Sequence, residues 1–142
     1  MTELQKKVEA ELSRTGARFN AARRAVIEKA YAMLPRMDSP RILDVGCGAG
    51  FQTFELLRLS GGAATAVDID TVALGKLDRR AAREGVADRV EILDVSMEEM
   101  DFPGGAFDQV WAEGTIFAVG FERGLSGWKG FLAEPGFLVV HE

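Results

Sequence analysis

The sequence predicts one α/β domain, a parallel sheet of five strands with helices on both faces, and three observations carry that prediction. From Arg41 onward short apolar runs alternate with helical stretches, the runs are apolar on both faces, and a glycine-rich loop follows the first of them directly. With 142 residues, 47% hydrophobic and 27% charged, the chain can bury one core, and no repeat or Pro/Ser-rich linker divides it. Residues 1–142 are therefore read as a single domain, with N-terminal helices over 1–36 and the α/β core over 41–142.

Thr2 with Gln5 has the form of a capping box, and Leu4, Val8 and Leu12 set an apolar stripe on a first short helix that Gly16 should stop. A second helix is expected from about Arg18 to Leu34, with Phe19, Ala22, Val26, Ala30 and Met33 on one face and Pro35 and Pro40 marking the exit. Strands are expected at Arg41–Val45, Ala63–Val67, Val90–Leu93, Phe107–Trp111 and Phe137–Val140. Between them Gln52–Leu59, Thr71–Glu84 and Glu122–Leu132 read as helices, closed by Gly61-Gly62, by Gly85 and by a Glu134-Pro135-Gly136 turn. Right-handed crossovers return each helix to a face of the sheet, which makes the fold Rossmann-like.

Lysine and arginine total 17 against 22 acidic residues, and the net charge of −5 opposes binding to a phosphate backbone, so no nucleic-acid partner is expected. The single cysteine, Cys47, forms no intrachain disulfide, and the charged stretch Met1–Lys7 lacks an apolar leader core, so a reducing cytoplasm fits. No apolar run approaches the roughly 20 residues of a membrane span, so no membrane association is expected, and no metal is expected either.

Chemistry concentrates on the first loop. Strand one runs into Gly46-Cys47-Gly48-Ala49-Gly50 and then into a helix, so a ligand's flat or anionic part can approach the backbone at a helix N-terminus. Asp68 closes strand two at the same crevice, where a carboxylate accepts both hydrogen bonds of a ribose diol, which implies an adenosine-containing cofactor. A dinucleotide prefers the spacing G-x-G-x-x-G; this loop reads G-x-G-x-G and carries Asp44 just before it. A carboxylate there opposes a pyrophosphate but suits a sulfonium and an amino acid moiety, by a water-mediated contact or by ordering the loop.

These residues resemble class I S-adenosylmethionine-dependent methyltransferases. Ile42-Leu43-Asp44-Val45-Gly46-Cys47-Gly48-Ala49-Gly50 looks like their first motif and Ala66-Val67-Asp68-Ile69-Asp70 like their second, while Met100–Trp111 is similar to the approach to their fourth strand and Gly127–Val140 to that of the fifth. The resemblance implies S-adenosylmethionine as cofactor and a strand order 3-2-1-4-5. It places Gly46, Gly48 and Gly50, with Cys47 between them, around the methionine part, Asp68 with Ile69 beside the ribose, and the backbone after Trp111 at the cofactor amino group. Many family members carry an aspartate after strand three that contacts the adenine amino group; here Ser96 aligns with it and Asp94 precedes it, and both readings stand. Ser96 with Glu99 also has the form of a capping box, in which the Met97 amide faces the adenine. Ala112–Phe117 and Gly120–Leu125 look like a small-molecule branch related to quinone-pathway enzymes, which implies a small-molecule methyl acceptor.

Cys47, far in sequence from the lone histidine, reads as a small loop residue rather than a nucleophile. Glu113 follows strand four and His141 with Glu142 ends strand five, both at the edge where α/β folds bind ligands, so Glu113 and His141 are the candidate catalytic residues. A solvated loop carboxylate and a frayed terminus are the plain alternatives. Phe117 is the candidate for an apolar substrate pocket, and Arg79, Arg80 and Arg83 read as a solvated face.

By resemblance, a further helix and an antiparallel hairpin follow strand five; the sequence stops at Val139-Val140-His141-Glu142, so a C-terminally truncated domain is expected. Strand five then presents an open edge on which homodimerisation is physically reasonable. Two other functions remain to be separated from methyl transfer: a nucleotide-binding fragment without catalysis, and a dinucleotide-dependent oxidoreductase resting on the shared architecture.

Overall fold

The computed structural model describes residues 1–141, without the side chain of Phe117, so the expectations placed on Glu142 and on the Phe117 ring lie outside the described residues. The elements run α1 (Glu3–Ala32), β1 (Arg41–Val45), α2 (Phe51–Leu59), β2 (Ala63–Asp68), α3 (Thr71–Arg83), β3 (Val90–Asp94), β4 (Phe107–Glu113), α4 (Phe121–Lys129) and β5 (Leu132–His141). All strands pair in parallel, in the order β3-β2-β1-β4-β5 that the resemblance implied.

The two faces separate by the alternation of β1. Ile42 and Asp44 face α1, α2 and α3, where Ile27, Leu56, Leu57, Leu74 and Leu77 make one core; Leu43 and Val45 face the other side, where Val110, Ile116 and Trp128 of α4 make the second. A fully buried leucine or isoleucine stabilises such a layer by roughly 1.5–3 kcal/mol.

Three expectations are corrected. The N-terminus is one helix of 30 residues, not two. Its capping box forms, with Gln5 N donating to Thr2 Oγ1 at 3.1 Å and Thr2 N donating to Gln5 Oε1 at 2.6 Å. Gly16 does not end it, because an interior glycine costs only about 1 kcal/mol against good helix formers on either side. β4 continues two residues beyond Trp111, to Glu113. Finally, Glu134-Pro135-Gly136 is no turn between elements but an irregularity inside β5: Phe107 pairs with Leu132 and Gln109 with Phe137, so residues 133–136 oppose one residue of β4.

Candidate functional site

At the carboxyl end of β1 the chain turns through Gly46-Cys47-Gly48-Ala49-Gly50 into α2. The N–H groups of Gly46 and Cys47 both donate to Val67 O, at 2.8 and 3.0 Å, so β2 holds the loop. Gly48 adopts φ +56, and a Cβ built there meets no atom within 4 Å: its backbone faces open space, the cradle a ligand needs. Cys47 is buried in the core, its thiol donating to Gly48 O at 3.6 Å, and burial pushes the thiol well above its ordinary range, which disfavours the thiolate.

Asp44 lies beneath the loop rather than in it. It is 1% exposed and accepts from Gln52 Nε2 at 2.9 Å and from Thr53 Oγ1 at 2.6 Å, both on the first turn of α2. These two bonds tie the end of β1 to the first turn of α2, across the loop between them. Burial pushes its carboxyl up to about 6, against the two hydrogen bonds, with the charges of Glu113 and Asp68 acting in the same direction as burial.

Asp68 ends β2 beside the loop. Its Oδ2 accepts from Gly48 N at 2.8 Å and its Oδ1 from Ile69 N at 2.7 Å and Asp70 N at 3.0 Å. Three backbone donors thus aim a half-buried carboxylate at the crevice. Ile69, 68% exposed, stands on its lip. Asp94 is the register partner of Asp68 at the end of β3, which puts both carboxylates on one edge. The segment after it is a turn and not a capped helix: Glu99 N donates to Ser96 O at 2.9 Å and Glu98 N to Ser96 Oγ at 3.3 Å, while Met97 packs against the second core. Trp111 lies inside the sheet with a fully buried ring stacked on Tyr31, so Glu113 and Gly114 take the place at the tip of β4.

The structure adds four residues without a local sequence signal, Arg23, Gln52, Thr53 and Thr115. Arg23 on α1 pairs with Glu113 through its Nε and Nη2 and lies 4.3 Å over the Phe51 ring. Glu113 Oε2 is 3.7 Å from His141 Nε2, which lies 3.1 Å from Gln52 Oε1. Because the Gln52 amide nitrogen already donates to Asp44, its oxygen accepts, so His141 Nε2 donates in this bond. A continuous polar chain therefore runs Arg23, Glu113, His141, Gln52, Asp44, from the surface to the cofactor loop. Thr115 packs over Gly46, its hydroxyl donating to Val45 O at 3.1 Å. Beside the chain lies a cleft of about 430 Å³ lined by Phe19, Ala22, Arg23, Val26, Glu113, Gly114 and His141.

Strand order, glycine loop and the carboxylate after β2 together define a Rossmann-like α/β protein. The family model described as "Methyltransferase domain" matches residues 42–135, and the chain belongs to that family. It is 31% identical over 103 residues to a sterol 24-C-methyltransferase of Gibberella zeae, covering 72% of this chain and 27% of that one. It is 40% identical over 79 residues to the release factor glutamine methyltransferase of Chlorobaculum tepidum, covering 53% and 27%. Among solved structures, the geranyl diphosphate C-methyltransferase of Streptomyces coelicolor, in complex with Mg2+, geranyl diphosphate and S-adenosyl-L-homocysteine, superposes with a TM-score of 0.76 at 24% identity, over 98% of this chain and 50% of that one. The chain spans about a quarter of the length of these curated relatives. Among the described residues no helix is long and apolar enough to cross a membrane.

Proposed function

We propose that this chain is the cofactor-binding core of an S-adenosylmethionine-dependent methyltransferase that acts on a small molecule. The observation that carries the reading is the open backbone at Gly48 between two anchored carboxylates, Asp44 beneath it and Asp68 beside it. A positively charged, adenosine-bearing cofactor fits these two acceptors, Asp68 at the ribose hydroxyls and Asp44 beneath the loop, and the Asp44 carboxylate would oppose a pyrophosphate.

Gly46, Gly48 and Gly50 receive the methionine part, Asp68 takes the ribose hydroxyls, and Ile69 packs on the adenine, whose amino group meets Ser96 or Asp94 with the Met97 amide beside it. The backbone of Glu113 and Gly114 at the β4 tip takes the amino group in place of the residue after Trp111. When bound, the cofactor supplies a methyl group activated by its sulfonium, and the protein's part is alignment and exclusion of water. The acceptor lies in the cleft beside Glu113, its apolar body against Phe19, Ala22 and Val26. Glu113 orients the acceptor's polar group, and His141 Nδ1 is placed to accept a proton where the acceptor carries one. A sterol 24-C-methyltransferase and a geranyl diphosphate C-methyltransferase among the similar proteins support a small-molecule acceptor.

Calorimetry with S-adenosylhomocysteine and, side by side, a nicotinamide dinucleotide tests the reading. Binding of the first alone is expected, and binding of the dinucleotide in its place would overturn it.

A further inference from the structure

The outer part of α1 leaves the body of the fold. Every residue from Met1 to Ala22 is exposed. Leu4, Val8, Leu12, Phe19 and Val26 on this helix are 72%, 49%, 66%, 63% and 47% exposed. With Thr15 and Ala22 between them they recur at spacings of three and four, so they form one stripe, rotated roughly 100° from the face that carries Ile27. Side chains at this spacing interdigitate with a facing helix.

The charges beside the stripe select that helix. Glu11 and Arg18 flank it on the same side, one heptad apart, and Gly16 and Arg23 flank it on the other. In an antiparallel pair related by a two-fold axis each flank faces its own copy, so Glu11 of one chain meets Arg18 of the other, twice. A parallel pair sets opposite flanks together, which leaves Glu11 facing Gly16 and puts Arg18 against Arg23, like charge against like.

We propose that the stripe is the interface of a homodimer in which two α1 helices pack antiparallel, with the Leu12–Thr15 region at the two-fold axis. This surface is separate from the outer edge of β5. The apolar residues supply the affinity and the Glu11–Arg18 pairs the register, since exposed ion pairs add little by themselves. Phe19, Ala22 and Val26 also line the cleft beside Glu113, and the axis sets them against Val8, Leu4 and Met1 of the second copy, so that helix forms a further wall of the space in which the acceptor lies.

Sedimentation velocity on the full chain should give twice the 15.4 kDa chain mass. Leu12→Glu, at an exposed position, should give a monomer that keeps the fluorescence of the buried Trp111 and Trp128, which reports an intact sheet. Glu11→Arg should weaken association about tenfold by turning both contacts repulsive, and adding Arg18→Glu should restore it. A monomeric wild type, a dimer that survives Leu12→Glu, or a charge swap that fails to restore association overturns the proposal.

Discussion

The backbone N–H of Gly48 donates to the Asp68 carboxylate at 2.8 Å, so the loop after β1 and the end of β2 are one unit. Asp68 therefore both shapes the loop and presents the carboxylate. Asp68→Ala should weaken S-adenosylhomocysteine binding roughly 10- to 100-fold, the equivalent of one or two charge-assisted hydrogen bonds. Calorimetry measures it, and an unchanged Kd would remove Asp68 from the site.

Gly50 and Gly48 should respond differently to alanine. Gly50 adopts φ +96, and a Cβ there would lie 2.8 Å from Leu77 Cγ, a fully buried side chain with no room to yield. Gly50→Ala should destabilise the fold by roughly 2–4 kcal/mol through backbone strain and overpacking. Gly48→Ala carries only the strain, about 1–2 kcal/mol, yet its methyl enters the cradle and should abolish cofactor binding. Thermal unfolding and calorimetry on the two variants separate the effects.

Asp44 gives the protein an unusual pH dependence. Its carboxyl value rises from 3.8 unfolded to about 6 folded, so its contribution to stability is complete below 3.8 and is lost as pH rises to about 6. Asp108 has the opposite sign. Hydrogen bonds from Arg41 hold it below the ordinary range, so its contribution is lost as pH falls. Glu55 behaves likewise: burial raises it, but the hydrogen bonds of Arg24 and Arg58 outweigh burial. Asp44→Asn removes only the first contribution, so relative to wild type it should gain on the order of 3 kcal/mol between about pH 4 and about pH 7. Denaturant unfolding at both values measures it, and a pH-independent difference would contradict the assignment.

Glu113 sits at the tip of β4 with Arg23 on one side and His141 on the other. In the whole protein Glu113→Gln should lower methyl transfer about a hundredfold and leave the affinity for S-adenosylhomocysteine unchanged. A loss of cofactor affinity in parallel would mean that Glu113 shapes the cofactor loop, through His141 and Gln52, rather than the acceptor site.

The first three strands and the cofactor loop were legible because their signals are local. β1 begins and ends where the apolar run Arg41–Val45 does, and the glycines follow at once. The errors fell where local signals were outweighed. Gly16 looked like a stop, but a solvated glycine in a run of good helix formers costs too little to break α1. Trp111 looked like a strand end, but parallel pairing with β1 as far as Ala112 and with β5 as far as Glu113 carries β4 on.

Residue spacing alone thus settled the α/β architecture, the place of the glycine loop and the carboxylate at the end of β2, because each depends on neighbours a few positions away. Only the tertiary structure decided that Asp44 supports the loop through Gln52 and Thr53, and that Arg23 meets Glu113 across 90 positions of sequence. Such partners are chosen by how α1 packs on the sheet, and that packing is a sum over the whole core rather than a property of any one segment.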